Sequence, residues 1–445
     1  MTPAETSMAE HDVDPAQDVV AILRALIRID TSNDGTDSGP GEILAAEYVV
    51  QLLREVGYDP ELITTTSSRR AAVALRIPGV DPERPALLVH GHLDVVPAIA
   101  ADWSVPPFTA EVVEDMVWGR GAVDMKDTDA MFLAIFRHWA RTGYRPPRDI
   151  IVVFTPDEEA GGRHGAQWLV RHRPDIFAGA TEAIGEVGGF SWTINDDVRV
   201  YLIQTAEKGI AWMKATARGR AGHGSMFNAD NAVTELAEAI SRVGTHDFPV
   251  SVGPSAQRLL SELQEVTGLN LSTGDIVETL NQLGPLANFV GSGLKNTANP
   301  SMLSAGYKVN VIPETAVAHI DGRFLPGQRD EFVAAIERLL GPKIDLEILI
   351  EDIGLEVPFE GDTVGSMVAA LRAEDPLALP LPFMMAGGTD AKAFSRLGIE
   401  GYGFAPLRLP PDLNFAALFH GIDERVPIES LQFGLRVLER FFRSC

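Results

Sequence analysis

Short apolar runs alternate with amphipathic segments along the N-terminal part of the chain. After Asp14-Pro15, apolar residues recur every three to four positions, which predicts a helix capped by Asp14 with Pro15 in its first turn. Residues 41–58 have the same period and predict a second amphipathic helix. Ala71–Ile77 and Ala86–His90 are apolar runs of strand length. Strands and helices that alternate in this way predict a mainly parallel, doubly wound α/β sheet.

The pattern changes in the middle of the chain, where strict alternation replaces the continuous apolar runs. Strand, helix, hairpin, helix and strand patterns follow one another over residues 208–225, 231–243, 305–324, 329–341 and 344–352. This β-α-β-β-α-β order is that of a ferredoxin-like module, with the hairpin turn at Pro313-Glu314. Residues 250–300 are rich in Gly, Ser and Asn and predict a loop.

The length and composition fit a protein of more than one domain. The chain has 445 residues, of which 45% are hydrophobic, enough for a large core and for two or three domains. We expect one domain made of residues 1–207 and 353–445, interrupted by an inserted domain of residues 208–352. In a doubly wound sheet, ligands bind outside the carboxyl ends of the strands, so we expect the chemistry in the first domain.

Charge and cysteine content restrict the partners and the compartment. The net charge of −25 repels nucleic-acid phosphates and anionic membranes, so we expect neither as a partner. The N-terminus has no basic start and no apolar core, which is atypical of a secretory signal and predicts a short acidic tail. No apolar stretch approaches the roughly 20 residues of a membrane span. The single cysteine, Cys445, excludes an intramolecular disulfide, and we expect a reducing, cytoplasmic compartment.

The segment LLVHGHLDVVPA, residues 87–98, ends an apolar strand with three polar side chains. His90, His92 and Asp94 occupy alternate positions, so they share one face of the strand. A single buried histidine is usually a hydrogen-bonded core residue, and we assign His90 to the core. His92 and Asp94 belong to a larger set of polar residues at strand ends.

This larger set combines carboxylates and imidazoles. It comprises His92, Asp94, Asp124, Glu158, Glu159, Glu186 and His420. Carboxylates gathered after buried strands would repel one another if they were ionised and unpaired. Two divalent cations remove this repulsion, since zinc binds imidazole nitrogen and carboxylate oxygen, and two ions can share a bridging carboxylate and a water. Each residue alone also fits an ordinary turn or surface charge, but the combination predicts a site for two metal ions.

The motifs around these residues resemble those of the M20 family of metallo-amidohydrolases, the group of aminoacylase-1, carboxypeptidase G2 and succinyl-diaminopimelate desuccinylase. The matching stretches lie between residues 87 and 426 and are HGHLDVVP, WSVPPF, WGRGAVDMKD, TPDEEAGG, GRAGHGS, NVIP, DGRFLPG, GGTDA and FHGIDERV. The likeness is greatest to the aminoacylase-like branch. It implies a zinc-peptidase-like, doubly wound mixed sheet as the catalytic domain. It also implies that the inserted ferredoxin-like domain is a lid and dimerisation domain.

The resemblance assigns the metal ligands residue by residue. It implies two zinc ions per subunit, one held by His92 and Glu186 and the other by Glu159 and His420. Asp124 would bridge the two ions and precede a cis peptide bond. Cobalt or manganese could occupy the same ligands, since geometry and supply decide metal selectivity.

The resemblance also assigns the acids around these ligands. Asp94 would hold the second nitrogen of the His92 imidazole and so fix its tautomer. Glu158 would be the general base that takes a proton from the attacking water. The stretch EVGGF varies within the family, and some members have Asp at its ligand position. Glu182 is the alternative ligand there, but strand position and pattern favour Glu186.

The inserted domain and a C-terminal loop would contact the substrate. By resemblance, His223 reaches the site of a partner subunit in a homodimer and stabilises the tetrahedral oxyanion. Asn310 and Arg323 would hold the free carboxylate of the substrate, for which the arginine fork is suited. Gly388 and Thr389 would contact the substrate near the oxyanion.

The implied activity is hydrolysis of the amide bond of small N-acyl-L-amino acids to a carboxylate and an amino acid. The alternatives within this class are cleavage of short peptides, as a dipeptidase or carboxypeptidase, and cleavage of an acyl-diaminopimelate. A non-catalytic binding scaffold on the same fold is a further alternative. The presence of every implied ligand, together with Glu158, argues against a scaffold.

Overall fold

The computed structural model of the chain describes residues 14–36 and 38–445. Residues 1–13 of the predicted acidic tail lie outside this range. The helices are α1 (Pro15–Arg28), α2 (Ile43–Arg54), α3 (Lys126–Thr142), α4 (Ala166–His172), α5 (Ala232–Gly244), α6 (Pro254–Thr267), α7 (Ile276–Leu280), α8 (Pro285–Gly291), α9 (Arg329–Leu340), α10 (Asp362–Glu374), α11 (Ala391–Ser395) and α12 (Ile428–Ser444). The strands are β1 (Glu61–Thr64), β2 (Ala71–Ile77), β3 (Ala86–His92), β4 (Val112–Val113), β5 (Met116–Trp118), β6 (Ile150–Thr155), β7 (Ala180–Gly185), β8 (Phe190–Thr193), β9 (Arg199–Glu207), β10 (Gly209–Arg218), β11 (Gly222–His223), β12 (Thr297–Ala305), β13 (Val311–Ile312), β14 (Thr315–Phe324), β15 (Ile344–Asp352), β16 (Leu355–Glu356), β17 (Ala378–Met385), β18 (Glu400–Gly403) and β19 (Arg425–Pro427).

The described residues form two compact units. The first contains the chain up to Tyr201 together with Glu360–Pro380 and Ala393–Cys445. The second contains Leu202–Phe359 and Leu381–Lys392. The second unit therefore includes the whole predicted insertion. Its role as a lid and dimerisation domain, and the catalytic role of the first, stay predictions.

Buried polar contacts join residues 381–392 to the rest of the second unit. Thr389 donates hydrogen bonds from N and Oγ1 to the carboxylate of Glu207, at 3.0 and 2.6 Å. Lys392 Nζ donates to the carbonyl oxygen of Lys208 at 2.6 Å. These partners are more than 180 positions apart in the sequence. Local sequence pattern carries no signal for such contacts, which is why the predicted boundaries omit this segment.

The sheet of the first unit has a parallel centre with antiparallel strands at one side. Its strands lie in the order β1-β2-β6-β3-β7-β18. The strands from β6 to β18 are parallel, whereas β2 is antiparallel to β6 and β1 to β2. Every residue of β3 and β6 is buried, as expected for parallel strands covered on both faces. Because β6 and β7 flank β3, the strand order reverses at β3, and doubly wound sheets bind ligands at such a point.

Two 17-residue helices, α3 and α12, pack against each other through aromatic side chains. Phe132, Phe136 and Trp139 follow one another at helical spacing on α3, and their rings lie 5.5–6.1 Å from the ring of Phe442 in α12. Such pairs contribute roughly 0.5–1.5 kcal/mol each beyond the area they bury. No helix in the described part of the chain is both long and apolar enough to cross a membrane.

The second unit contains a four-stranded antiparallel sheet with strands in the order β12-β14-β10-β15. Alternate residues of β10 and β14 are buried, which is the pattern of a sheet with one covered face. These residues share a core with α5 and α9, formed among others by Met213, Leu236, Ile320, Phe332 and Ile336. The arrangement agrees with the predicted ferredoxin-like order.

The predicted hairpin begins too late in the sequence. The prediction takes the residues after Ala305 as the first strand. The strand that pairs with β14 is instead β12, which ends at Ala305. Val311 and Ile312 pair instead with the short strand Gly222–His223. The local alternation across NVIP is therefore real but belongs to a separate two-stranded ladder.

The loop predicted for residues 250–300 is wrong, because this region contains α6, α7 and α8. In α6, Leu259, Leu260 and Leu263 recur at helical spacing and are buried. An apolar face at helical period decides the local structure even in a region rich in Gly, Ser and Asn.

Candidate metal centre

Three parallel strands deliver candidate ligands to one end of the sheet. His92 is the last residue of β3. Glu158 and Glu159 lie in a 3₁₀ turn shortly after β6, and Glu186 directly follows β7. His92 pairs with Thr155, the last residue of β6, so these strands end side by side. The reversal of strand order at β3 thus brings these side chains together, as the sequence predicts.

Two groups of ligand atoms meet at the Asp124 carboxylate. The first group is His92, Asp124 and Glu186, the second is Asp124, Glu159 and His420, and the ligand atoms of each lie within 4.8 Å of one another. His92 Nε2 is 3.1 Å from Asp124 Oδ1 and 3.5 Å from Glu186 Oε2. His420 Nε2 is 3.2 Å from Asp124 Oδ2 and 3.0 Å from Glu159 Oε2. Asp124 therefore presents one oxygen to each group, which is the geometry of a bridging ligand.

The ionisation of these groups reflects burial and mutual contact. Burial raises the pKa of Glu186 to about 8 and also raises the pKa of Glu159. Burial acts the same way on Asp124, but hydrogen bonds with His420 and His92 hold its pKa below the usual value. Hydrogen bonds with Asp124 and Glu159 raise the pKa of His420 to about 10. Burial opposes the charged form of His92, but the Glu186 charge and the Asp124 hydrogen bond raise its pKa well above the usual value.

These shifts provide a test of whether the residues fit metal ions. The raised pKa values of His92, His420, Glu159 and Glu186 all favour the protonated forms of these groups. A divalent cation would replace such protons, because a ligating imidazole is neutral and ligating carboxylates are ionised. Imidazole nitrogen with carboxylate oxygen is a donor set that zinc, cobalt and manganese accept. The two groups therefore fit a dinuclear metal centre.

Asp94 makes contacts that differ in part from the predicted ones. His92 Nδ1 lies 2.9 Å from the backbone carbonyl oxygen of Asp94 and 3.6 Å from its carboxylate Oδ1. The carbonyl oxygen, rather than the carboxylate, is thus within hydrogen-bond distance of the imidazole. The carboxylate accepts hydrogen bonds from the backbone amides of Glu158 and Glu159, at 3.0 and 3.1 Å. Asp94 therefore orients the imidazole through its backbone and the glutamate turn through its side chain.

Glu158 lies beside the ligand groups without belonging to either. Its Oε2 is 4.0 Å from His92 Nε2, and its side chain is 13% exposed. This carboxylate is therefore partly open to solvent and close to the ligand nitrogen of His92. The side chain of His420 is 57% exposed, and its backbone has a φ of +57°. The peptide bond between Asp124 and Met125 is cis, as the resemblance implies.

The structure separates His90 and Glu182 from the ligand groups. His90 is buried, its ring packs 4.9 Å from that of Phe394, and burial together with the neighbouring His92 lowers its pKa to about 3. The prediction that His90 is a core residue is confirmed. Glu182, the alternative to Glu186, forms an ion pair of 2.7 Å with Arg148.

The predicted substrate-binding residues all belong to the second unit. His223 and Asn310 are neighbours there, because Gly224 N donates to the Asn310 carbonyl oxygen at 3.0 Å. Both are exposed, and His223 Nδ1 lies 2.8 Å from the Ser225 hydroxyl. Arg323 holds Asp321 with two hydrogen bonds, Nε to Oδ1 at 2.7 Å and Nη2 to Oδ2 at 3.1 Å.

Gly388 and Thr389 are held by buried charged residues of the same unit. A Cβ atom at Gly388 would lie only 2.5 Å from Lys392 Nζ, so a larger residue would have to displace the end of this buried lysine side chain. Thr389 is fixed by the Glu207 carboxylate. The structure thus gives a structural reason for both residues, while their roles toward a substrate stay predictions.

Sequence analysis missed a buried polar network beneath the glutamate turn. Asn33 Nδ2 donates to Asp94 Oδ2 at 2.9 Å and to Asp157 Oδ1 at 3.1 Å. Asn33 Oδ1 accepts from Arg70 Nη2 at 3.3 Å, and Arg70 Nη1 lies 3.1 Å from Asp157 Oδ1. The only sequence signal for this network is Asp157, the acid that precedes Glu158 and Glu159 in TPDEEAGG. Asn33 gives no signal, because it stands in an ordinary turn sequence. These contacts hold Asp157, and with it the turn that contains Glu158 and Glu159, in place.

Comparison with known proteins gives consistent relatives over almost the whole chain. Aminoacylase-1 of Sus scrofa is 26% identical over 417 residues, which cover 92% of this chain and 90% of that protein. The N-fatty-acyl-amino acid synthase/hydrolase PM20D1 of Xenopus tropicalis is 25% identical over 446 residues, covering 96% of this chain and 85% of that protein.

Solved structures show the same fold. The M20 family metallo-carboxypeptidase Sso-CP2 from Sulfolobus solfataricus matches with a TM-score of 0.72 at 16% identity, covering 96% of this chain and 98% of the other. The sequence pattern of "Peptidase family M20/M25/M40" matches residues 88–444. These matches and the two ligand groups that share Asp124 establish that the chain is a metallohydrolase and belongs to peptidase family M20/M25/M40.

Proposed function

We propose that the protein hydrolyses the amide bond of small N-acyl-L-amino acids. The observation that carries the reaction type is the pair of ligand groups joined by Asp124, with the Glu158 carboxylate beside them. The names of two relatives, aminoacylase-1 and an N-fatty-acyl-amino acid synthase/hydrolase, support this substrate class. Short peptides and acyl-diaminopimelates are the alternative substrates.

We propose the following roles for the residues of the first unit. His92 and Glu186 would hold one zinc ion, Glu159 and His420 would hold the other, and Asp124 would serve both as the bridging ligand. Two such ions would supply a water of lowered pKa and polarise the scissile carbonyl. Cobalt and manganese are the alternatives to zinc.

Glu158 is assigned the proton transfers. Its carboxylate takes a proton from the attacking water and, as a carboxylic acid, delivers it to the leaving nitrogen. The backbone amides of Glu158 and Glu159 donate hydrogen bonds to the Asp94 carboxylate. These bonds support the role, because they hold the turn that carries Glu158 in one position. A general base needs such fixed placement to act within hydrogen-bond reach of its proton.

In the second unit, Asn310 and Arg323 are assigned to the free carboxylate of the substrate, and Gly388 and Thr389 to the region of the oxyanion. The two contacts of Arg323 with Asp321 support the first assignment, since they fix the plane of the guanidinium. A guanidinium held in this way is ready for a second planar anion.

We propose that the protein is a homodimer in which His223 acts on the substrate of the partner subunit. Exposed apolar side chains around the β11–β13 ladder support this proposal. Met226 and Phe227 follow His223, while Tyr307 and Val309 precede β13, and all four are at least 69% exposed. An exposed apolar cluster of this kind is typical of a surface that another protein covers. A cytoplasmic location stays a prediction.

A substrate panel tests the proposed activity. Zinc-loaded protein is offered N-acetyl-methionine, N-lauroyl amino acids and Gly-Xaa dipeptides, and the released amino acid is quantified. We expect cleavage of the N-acyl amino acids and much slower cleavage of the matching N-acyl amino-acid amides, which lack the free carboxylate. Release from dipeptides alone would contradict the proposed substrate class and favour a dipeptidase.

A further inference from the structure

A second buried carboxylate lies against the segment that carries Asp124. Glu424 is fully buried and accepts four hydrogen bonds. Its Oε1 accepts from the backbone amides of Val123 and Asp124, at 2.6 and 3.1 Å. Its Oε2 accepts from the amide of Gly121 at 3.1 Å and from Arg120 Nη1 at 2.7 Å. One side chain thus fixes three amides of the loop that ends at the bridging residue.

A short strand ladder explains why Glu424 reaches this loop. In β19, Arg425 pairs with Trp118 of β5, and its guanidinium lies 4.5 Å from the centre of the Trp118 ring. The next contact along the ladder is a hydrogen bond of 2.9 Å from Gly119 N to the carbonyl oxygen of Glu424. The ladder therefore aligns the backbone of Glu424 with the start of the loop. The Glu424 side chain then reaches the amides of the residues that follow.

Arg120 balances the buried charge. Its Nη1 pairs with Glu424 Oε2 at 2.7 Å, and its guanidinium lies 5.1 Å from the centre of the Trp103 ring. A buried carboxylate without partners would be strongly unfavourable, whereas this one has a cation and three amides. The arrangement resembles that of Asp94, which holds the amides of Glu158 and Glu159. Two buried carboxylates thus hold the backbones of three residues assigned to the reaction.

The same C-terminal segment contacts Asp124 at two points. His420 Nε2 lies 3.2 Å from Asp124 Oδ2, and Glu424 accepts from Asp124 N. The orientation of the Asp124 backbone decides where its two oxygens point. A shift of this backbone would turn one oxygen away from its ligand group.

We propose that Glu424 is a positioning residue that fixes the backbone of Asp124, so that each carboxylate oxygen faces one ligand group. The effect on metal affinity and turnover rests on the function proposed above. The effect on the backbone does not, because it concerns hydrogen bonds of the metal-free chain. The two can therefore be tested separately.

The experiment compares wild type with Glu424→Gln, in which one of the two acceptor oxygens becomes a donor. Hydrogen–deuterium exchange of the metal-free protein is followed in peptides that cover residues 119–125. We expect at least about tenfold faster exchange of one or more of the Gly121, Val123 and Asp124 amides, because at least one of them loses its acceptor whichever oxygen is replaced. Zinc affinity, measured by competition with a chromophoric chelator, is expected to fall about 10- to 100-fold.

Asp375→Asn is the matched control. Asp375 is also buried and also bound to an arginine, Arg199, and its other hydrogen bonds come from Tyr201 and Leu377. We expect this variant to lose stability without changing exchange at residues 121–124 or zinc affinity. Glu424→Asp is the second test variant and keeps the charge opposite Arg120, so it remains informative if Glu424→Gln does not fold.

Faster exchange of amides among residues 121–124 with weaker zinc binding supports the proposal. A folded Glu424 variant with wild-type exchange in this segment would overturn it, even if its melting temperature were lower. If the exchange changes but the wild-type protein binds no zinc, the positioning of the backbone stands and the proposed function fails.

Discussion

The carboxylate of Asp94 accepts a hydrogen bond of 3.0 Å from the backbone amide of Glu158, although the two residues are 64 positions apart. The end of β3 and the turn after β6 are thereby joined at the point where the strand order reverses. The same carboxylate also accepts from Glu159 N at 3.1 Å. A residue at the end of one strand therefore fixes both the assigned base and a neighbouring ligand.

Replacement of Glu158 should abolish turnover without loss of metal. In Glu158→Gln the side chain keeps its size but cannot accept a proton from water, so kcat should fall about 10²- to 10⁴-fold. Metal content should stay at the wild-type value, because Glu158 belongs to neither ligand group. Kinetics with N-acetyl-methionine and metal analysis of the same preparation provide the measurement. A variant with wild-type kcat would show that another group moves the proton.

Replacement of Asp124 should affect both metal ions. Asp124→Ala removes one oxygen from each group, so we expect the loss of both ions and of activity. Glu186→Ala is the matched control, since Glu186 belongs to one group only, and we expect it to retain one ion more tightly than the other. Stepwise titration with zinc separates these cases. Two intact binding steps in Asp124→Ala would argue that Asp124 is not a bridge.

His223 provides a test of a site shared between subunits. We expect His223→Ala and Glu158→Ala to be nearly inactive alone, because the first lacks the oxyanion contact and the second lacks the base. If the subunits exchange, a mixed dimer has one site with both residues intact. Random mixing should then restore about one quarter of the wild-type activity. A mixture that forms mixed dimers but stays inactive would rule out the shared site.

Lys208 should make the free energy of unfolding change with pH in the alkaline range. The side chain is fully buried, and its Nζ has no hydrogen-bond partner among the residues that the structure describes. Burial together with the nearby charge of Arg323 lowers its pKa to about 8. The unfolded chain, with a lysine pKa near 10.4, binds more protons than the folded chain between these values. Stability should therefore rise with pH from about 8 to about 10.4, since the folded state has released its proton and the unfolded state has not.

Lys208→Met should remove this dependence. We expect the variant to be more stable at pH 7, by up to about 3 kcal/mol, because it carries no buried charge there. Its denaturation midpoint should change less than that of wild type between pH 8 and 10. Lys214→Met is the control, since Lys214 is partly exposed and paired with Glu347 at 3.0 Å. Identical pH profiles for wild type and Lys208→Met would contradict the assignment.

Sequence patterns predict the parts of the site that follow directly from strand ends. His92 and Glu186 each stand at the end of an apolar run, and the topology of a doubly wound sheet brings such ends together. The sequence places Asp124 and His420 in the set of polar residues at strand ends, and their roles as bridge and ligand are implied by resemblance to a family. Neither follows a central strand of the sheet, so the placement at strand ends is wrong for both.

The contacts that hold these residues could not be predicted, because they join distant segments through backbone groups. Glu424 accepts hydrogen bonds from backbone amides about 300 positions earlier in the chain. Nothing in the local sequence distinguishes it from an exposed acidic residue. Asn33 stands in a turn sequence that many loops share. The helix α6 is different, because the helical spacing of its buried Leu259 and Leu263 is visible in the sequence, although the composition of the region is typical of a loop.

Metal analysis is the decisive experiment on the proposed dinuclear centre. The wild-type protein is loaded with zinc, freed of excess ion, and analysed for metal per folded chain, together with its amidohydrolase activity before and after chelation. We expect two ions per chain, loss of activity when they are removed, and recovery when they are restored. A folded protein that binds less than one ion per chain, or that cleaves its substrate equally well after complete chelation, would contradict it.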